Sequence, residues 1–329
     1  MPARVLVAPD SFKGTIPAWE VADACAEGLV LAGCEAELCP VADGGEGTMR
    51  ILVEAFGGSI VPHRAADPLG RPIEAALGIT GSEAIVEVAE ASGLGLLTSA
   101  ERDPERATTA GTGELILAAR ELGAERILVA AGGSATVDGG AGATEAIADA
   151  GGLGGCRLTV LCDVETPFED AAAVYGPQKG ASPEAVERLA KRLDRLAARL
   201  PRDPRGLPLT GAAGGLAGGL WATLGAELVP GAEYVLEALD FERRLERADA
   251  VIVGEGSLDA QSSAGKIVGH VARRAGLAGL PVLAIVGSNR LTEGEASELG
   301  IAGVRQASVH EEIVAAARAL GESVGERQR

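Results

Sequence analysis

At 329 residues the chain is long enough for about two domains with full cores, and its 47% apolar content sets it apart from disordered sequences. A formal charge of −18 speaks against nucleic acid and anionic membranes as partners, because phosphate polymers select basic faces. The five cysteines, Cys25, Cys34, Cys39, Cys156 and Cys162, are odd in number and form no Cys-x-x-Cys pair, which argues against a disulfide framework or a zinc site. Reduced thiols and a cytoplasmic location are expected, and the start MPARVLVAPD shows no signal-peptide pattern.

The first elements alternate. RVLVAP reads as a strand, AWEVADACAEGLVLAG as a helix, EAELCPVA as a second strand and GTMRILVEAFGG as a second helix, the rhythm of β-α-β units and a parallel sheet. Thr15 is the expected N-cap of the first helix, with Pro17 in its first turn. From Ser59 the rhythm changes. SIVPHRAADPLGRPIEAALGITGSEAIVEVAE holds short apolar runs between Pro-Leu-Gly and Thr-Gly-Ser turns, which predicts an antiparallel meander. Helical spacing returns in TGELILAARELG, followed by a strand RILVAAG, a glycine-rich loop, a short helix near ATEAIADAG and a strand RLTVLCDV.

Over Pro183 to Leu200, the residues Val186, Leu189, Leu193, Leu196 and Leu200 share one helical face, with charges opposite. Gly206 to Ala226 carries no charge and is just long enough to span a bilayer, but its glycines and Pro208 dilute its hydrophobicity. A buried or site-forming helix is expected there. After Leu245 the parallel rhythm resumes with ADAVIVGEG, a helix GKIVGHVARRAG, a strand PVLAIVGS and a last strand near GVRQAS; the tail GESVGERQR is expected to fray. Two early strands and three late ones complete one five-stranded sheet if the middle of the chain is an insertion. The expected fold is therefore α/β: a discontinuous, parallel-sheet, Rossmann-like α/β/α domain of residues 1–58 with 245–329 carries an inserted α+β domain of residues 59–244 that contains the meander. The active site is expected in the cleft between them.

Parallel sheets bind ligands at the carboxyl ends of their strands. Five predicted strand ends each supply a carboxylate: APDSFKG (Asp10, Ser11, Lys13), VADGGEGT (Asp43, Glu46), GGSATVDGG (Ser134, Asp138), CDVETP (Asp163) and VGEGSLD (Glu255, Asp259). Glycine-rich turns expose backbone N–H groups that can surround phosphate oxygens, so an acidic chain can still hold ATP. Carboxylates beside such turns can carry Mg²⁺ or take a proton from an attacking hydroxyl. A structural turn or a flexible linker is the other reading of GGSATVDGGAG. Lys13, Arg71, Lys179 and Lys266 are the cations that could meet a carboxylate or a phosphate. GAAGGLAGG either packs closely against a neighbour or aims a helix N-terminus at a ligand.

Two standard fingerprints fail. Counting back from Gly265 and Lys266, a P-loop needs glycine where Ala260 stands, and Ile267 occupies the Ser/Thr position. GEGSLD and GTGELI end on Asp259 and Ile116 instead of a third glycine, so a Rossmann dinucleotide fingerprint is unsupported.

Taken together, APDSFKGT, VADGGEGT, DPLGRP, ASGL, GTGELI, GGSATVDGGAG, CDV, GPQKGA, GAAGGLAGGL and GEGSLDAQSSAGK resemble the type-1 glycerate kinase family over nearly the whole chain. The resemblance implies ATP-dependent phosphorylation of D-glycerate with Mg²⁺, a two-domain α/β architecture, and 2-phosphoglycerate in preference to 3-phosphoglycerate as product. Two positions depart from the family pattern: Val137 and Thr166 stand where asparagine is usual. Either they alter ligand contacts or they only shape the loops.

On this resemblance, Asp138, Asp163, Asp259 and Lys13 are the expected catalytic residues, with Asp138 and Asp259 as Mg²⁺ ligands. Asp10, Ser11, Arg71, Asp43 and Glu46 are assigned to the substrate. Gly132, Gly133, Ser134, Gly139, Glu255 and Lys266 are assigned to the nucleotide, the loop acting through its N–H groups. A non-catalytic binder of small acid anions would need the glycine loops but not the carboxylates, and a nicotinamide-dependent dehydrogenase would need the missing fingerprint. The number of subunits stays open, a homo-oligomer included.

Overall fold

The computed structural model describes residues 2–12, 14–259 and 266–327. In chain order the elements are β1 (Arg4–Pro9), α1 (Ala18–Leu31), β2 (Glu35–Leu38), α2 (Thr48–Phe56), β3 (Ser59–Ala66), β4 (Pro72–Thr80), β5 (Glu83–Glu87), α3 (Val88–Ser92), α4 (Ala110–Glu121), β6 (Arg126–Ala130), α5 (Ala141–Asp149) and β7 (Arg157–Cys162). They continue with α6 (Ala171–Tyr175), α7 (Pro183–Ala197), α8 (Leu216–Leu224), β8 (Glu227–Pro230), α9 (Gly231–Ala238), α10 (Phe241–Leu245), β9 (Ala250–Leu258), α11 (Ile267–Leu277), β10 (Val282–Asn289), α12 (Glu293–Glu298), β11 (Ile301–Gln306) and α13 (His310–Arg327).

The chain divides into two compact units, Met1–Asp43 with Val235–Arg329 and Gly44–Tyr234. Both boundaries fall earlier than the positions near 58 and 245 that strand-helix alternation suggests. Helix α2 goes with the second unit because its apolar face packs on β4 and β5: a Cβ at Gly78 would lie 2.4 Å from Val53 Cγ2. Its Met49 N–H also donates to Glu87 Oε1 at 2.6 Å. On the other side, Arg244 of α10 donates to Glu37 of β2 at 3.0 Å, within the first unit.

The first unit is a five-stranded sheet in the order β11-β10-β9-β1-β2, every neighbour parallel. Two early and three late strands complete it, as the apolar rhythm implies. Its core joins Val5 and Val7 of β1, Leu29 of α1, Ile252 of β9, Ile285 of β10 and Ile313 and Ala317 of α13. Burying each large aliphatic side chain contributes roughly 1.5–3 kcal/mol. Gly28 lets α1 and α13 touch, since a Cβ there would lie 2.3 Å from Val314 O.

Two local expectations change. Thr15 does not cap α1; its hydroxyl donates to Phe12 O at 2.7 Å and closes the turn, while Pro17 precedes the first helical residue. The C-terminal stretch does not fray within the described residues, because α13 continues to Arg327. Ile313, Ala317, Leu320 and Val324 recur at helical spacing and are all buried, which holds the last turns against the core.

The second unit is a six-stranded sheet in the order β3-β4-β5-β6-β7-β8. β3, β4 and β5 form the antiparallel meander, and β5 through β8 run parallel. Strand β5 thus ends the meander and opens the parallel block, so its carboxyl end lies in line with those of β6 and β7. The uncharged stretch after Gly206 forms turns and then the buried, nine-residue α8. No helix among the described residues is long and apolar enough to cross a membrane.

Candidate active site

The glycine-rich loop after β6 is neither a linker nor a bare turn. Gly133, Gly139 and Gly140 have φ of 70°, 66° and 76°, the left-handed region where only glycine is unstrained. The segment is tied on both sides: Leu94 N–H donates to Gly133 O at 2.8 Å and Ala135 N–H to Ser92 O at 2.8 Å, which engages the ASGL stretch. Behind it lies GAAGGLAGGL, whose glycines serve close packing. A Cβ at Gly214 would be 1.9 Å from Thr136 O, and one at Gly219 would be 2.2 Å from Gly139 O. The two backbones are in contact, with no space for side chains between them.

Asp138, within this loop, is 1% exposed. Its Oδ2 accepts from Thr109 N–H at 2.9 Å, Thr109 Oγ1 at 2.8 Å and Gly142 N–H at 3.2 Å, while Oδ1 accepts from Gly140 N–H at 3.0 Å. Thr109 caps α4 and Gly140 caps α5, so one carboxylate satisfies the N-termini of two helices and complements both dipoles. Val137, beside it, is fully buried among Phe168, Leu189 and Leu193. Its departure from the family residue therefore falls in the core. Thr166, the other departure, shares a 2.5 Å hydrogen bond with Tyr175 OH.

Among the described residues, the N–H groups of Gly132, Gly133 and Ser134 meet no protein acceptor. They lie at the carboxyl end of β6, beside the half-buried Asp163 at the end of β7. A Cβ at Gly132 would stand 3.3 Å from Asp163 Oδ2 and 2.4 Å from Gly45 Cα, so the VADGGEGT turn also approaches here. Thr136 Oγ1 and Thr48 Oγ1 are buried hydroxyls with no hydrogen-bond partner.

Two residues complete this edge. Lys179, from GPQKGA, is 6% exposed, and its Nζ donates to Ser134 Oγ at 2.7 Å and to Thr136 O at 2.8 Å. Burial pulls its pKa down to about 7, against the charges of Asp163 and Asp138, which favour the ammonium. Glu87, the last residue of β5, is 4% exposed and accepts from Met49 N–H. Burial pushes its carboxyl up to about 7, opposed by the N–H groups of Met49 and Gly47 and helped by the charges of Glu90 and Glu46. Glu87 is missed from sequence because EAIVE reads as a meander strand, whose end need not face a ligand. A lysine in a loop, as at 179, is ordinarily solvated, and only the fold shows it buried.

The remaining expected residues are distributed as follows. Arg71 is committed within its turn, with Nε 2.5 Å from Asp67 Oδ2 and an NH1 contact to Glu101 Oε1 at 2.6 Å. Glu46 is exposed, while Asp43 is 7% exposed. In the first unit, Asp10 accepts from Ser11 N–H at 2.6 Å. Pro9 pairs with Gly254, so Asp10 and Glu255 each follow a paired residue on neighbouring strands. The chain leaves β1 toward β2 and β9 toward β10, on opposite sides, which makes this the point where the strand order reverses. There Lys266 Nζ lies 3.3 Å from Glu255 Oε2 and 3.6 Å from Asp259 Oδ1. Lys13 lies outside the described residues. No three His, Cys, Asp or Glu side chains gather as a metal-binding group among the described residues.

The glycerate kinase family model matches residues 5–150 and 150–326. A Bacillus subtilis glycerate kinase is 39% identical over 327 aligned positions, covering 87% of this chain and 85% of that protein. An Escherichia coli glycerate 2-kinase is 38% identical over 324 positions, covering 87% and 85%. The crystal structure of a Salmonella typhimurium protein assigned as a glycerate kinase 2 superimposes with a TM-score of 0.82 at 36% identity, covering all of both chains. With a family match from end to end and relatives above the level at which fold and family are shared, the chain belongs to the glycerate kinase family.

Proposed function

We propose that this protein transfers the γ-phosphoryl group of ATP to a hydroxyl of D-glycerate, with 2-phosphoglycerate and ADP as products. The observation that carries the reading is the row of unspent N–H groups at Gly132, Gly133 and Ser134, at a strand end beside Asp163. Such a row suits phosphate oxygens without requiring net positive charge. The attacking hydroxyl oxygen forms a bond to the γ-phosphorus as the bond to the β–γ bridging oxygen breaks, and Asp163 takes the hydroxyl proton. In phosphoryl transfer such a base contributes about 10²- to 10⁴-fold, the rest being positioning and charge stabilisation. The 2-position is favoured because a relative with 38% identity carries the name glycerate 2-kinase.

Asp138 is assigned to holding the loop, since all four of its hydrogen bonds go to the protein. For the same reason it does not fit a Mg²⁺ ligand. Mg²⁺ is assigned to the ATP phosphates instead of a protein cluster. Glu255, Lys266 and Asp259, at the strand-order reversal of the first unit, are proposed as nucleotide contacts; Asp10, Ser11, Asp43 and Glu46 as glycerate contacts. For Arg71 to bind glycerate, the substrate must displace Asp67 or Glu101. The unpaired, mostly buried cysteines fit a reducing cytoplasm.

Incubation of the purified protein with Mg-ATP and D-glycerate, followed by phosphorus NMR, tests the reading. A 2-phosphoglycerate resonance growing with ADP is expected; a 3-phosphoglycerate resonance would overturn the regiochemistry, and no ADP the kinase itself.

A further inference from the structure

Lys179 and Ser134 are far apart in sequence and bonded in space. In its protonated form, which the charges of Asp163 and Asp138 favour, Lys179 has only donors, so in their 2.7 Å bond the Ser134 oxygen is the acceptor. The second Lys179 bond, to Thr136 O at 2.8 Å, holds the ammonium astride the loop. Ser134 is 5% exposed, and among the described residues its Oγ has one hydrogen-bond partner, Lys179. With that oxygen accepting, the hydroxyl proton must turn away from Lys179. No described acceptor takes it. It lies next to the unspent N–H groups of Gly132, Gly133 and Ser134 itself.

We infer that Lys179 is a positioning residue whose ammonium turns the Ser134 hydroxyl so that its proton, with the loop N–H groups, is offered to an anionic oxygen of the bound ligand. The inference rests on the glycine loop being the anion site. Two ligands present that chemistry, the glycerate carboxylate and the nucleotide phosphates. The geometry is cooperative: a hydroxyl that accepts from a cation is a better donor at its own proton. Without Lys179, Ser134 is free to turn its proton inward to Thr136 O or another loop oxygen, and the ligand loses a donor.

The test compares the full-length wild type with Ser134→Ala, Lys179→Met and the double variant. Steady-state kinetics vary Mg-ATP and D-glycerate separately, and calorimetry measures binding of each. Ser134→Ala removes only the hydroxyl and is expected to fold even where Lys179→Met does not. Loss of one hydrogen bond to a charged ligand should raise KM and Kd for that ligand by about 10- to 100-fold. A shift confined to ATP assigns the donor to phosphate, and one confined to glycerate assigns it to carboxylate. The double variant should be no worse than about twofold beyond the worse single variant, because both changes remove the same contact. Losses that multiply in the double variant would overturn the inference, as would a Ser134→Ala protein within twofold of wild type for both ligands. If the wild type binds ATP or glycerate but forms no phosphoglycerate, the proposed reaction fails, while the calorimetric comparison still decides the role of Lys179. If the wild type binds neither, both fall.

Discussion

Asp138 accepts from both the backbone N–H and the hydroxyl of Thr109, at 2.9 and 2.8 Å, and so joins the glycine loop to the first turn of α4. Its other bonds, to Gly140 and Gly142, do the same for α5. A carboxylate used in this way is part of the scaffold. Asp138→Asn exchanges an acceptor oxygen for an NH₂ that faces N–H donors, and should cost about 2–4 kcal/mol of stability. Asp163→Asn should lower kcat by about 10²-fold or more. Thermal unfolding and steady-state kinetics on both variants check the assignment. An Asp138→Asn protein as stable as wild type but inactive would return Asp138 to the chemistry.

Glu87 should make stability depend on pH in a defined window. Its carboxyl titrates at about 7 in the fold, raised by burial from an ordinary value of 4.5. Between these values the folded state holds a proton that the unfolded state has lost, so stability falls as pH rises from 4.5 to 7 and is flat above. The whole window is worth up to about 3 kcal/mol. Glu87→Gln keeps an oxygen for the Met49 N–H and removes the titration. It should melt higher than wild type at pH 8 and close to it at pH 4.5. Parallel pH profiles of the two proteins would show this, and identical slopes would exclude Glu87 as the source.

Gly214→Ala should disrupt the loop from behind. The position has φ of 67°, and the new methyl would meet Thr136 O at 1.9 Å. Backbone strain alone costs about 1–3 kcal/mol, and the Thr136 carbonyl that Lys179 holds must move. Activity should fall together with melting temperature. Gly206→Ala, also at positive φ but with open space around it, should lose stability and keep its kcat.

Restoring the family residue at position 137 should not help. Val137 has no exposed surface and sits among Phe168, Leu189 and Leu193. Val137→Asn buries an amide there and should destabilise the protein by about 1–3 kcal/mol, with KM for both substrates within twofold of wild type. A gain in affinity would mean that the amide reaches the ligand.

Much of this was legible in the residues themselves. Apolar runs alternating with helical spacing marked the parallel sheets, and two early with three late strands correctly predicted the five-stranded sheet. The glycine cluster after β6 was visible as a special backbone, because a demand for positive φ is met by residue type. Thr15 and the C-terminal tail went otherwise because their partners, a turn at Phe12 and the end of helix α1, are not written in the local pattern.

Sequence alone determined the fold class, the position of the glycine loops and the family, since periodicity, backbone permissiveness and ordered motifs are properties of the chain as written. Tertiary structure decided which charged groups lose water and whom they face. The direction of β5 placed Glu87 level with the carboxyl end of β6, the packing of α4 against α5 consumed Asp138, and Lys179 met Ser134 across 45 residues of chain. Desolvation and hydrogen-bond partnership depend on which distant segments come together, and those distances exist only once the chain is folded.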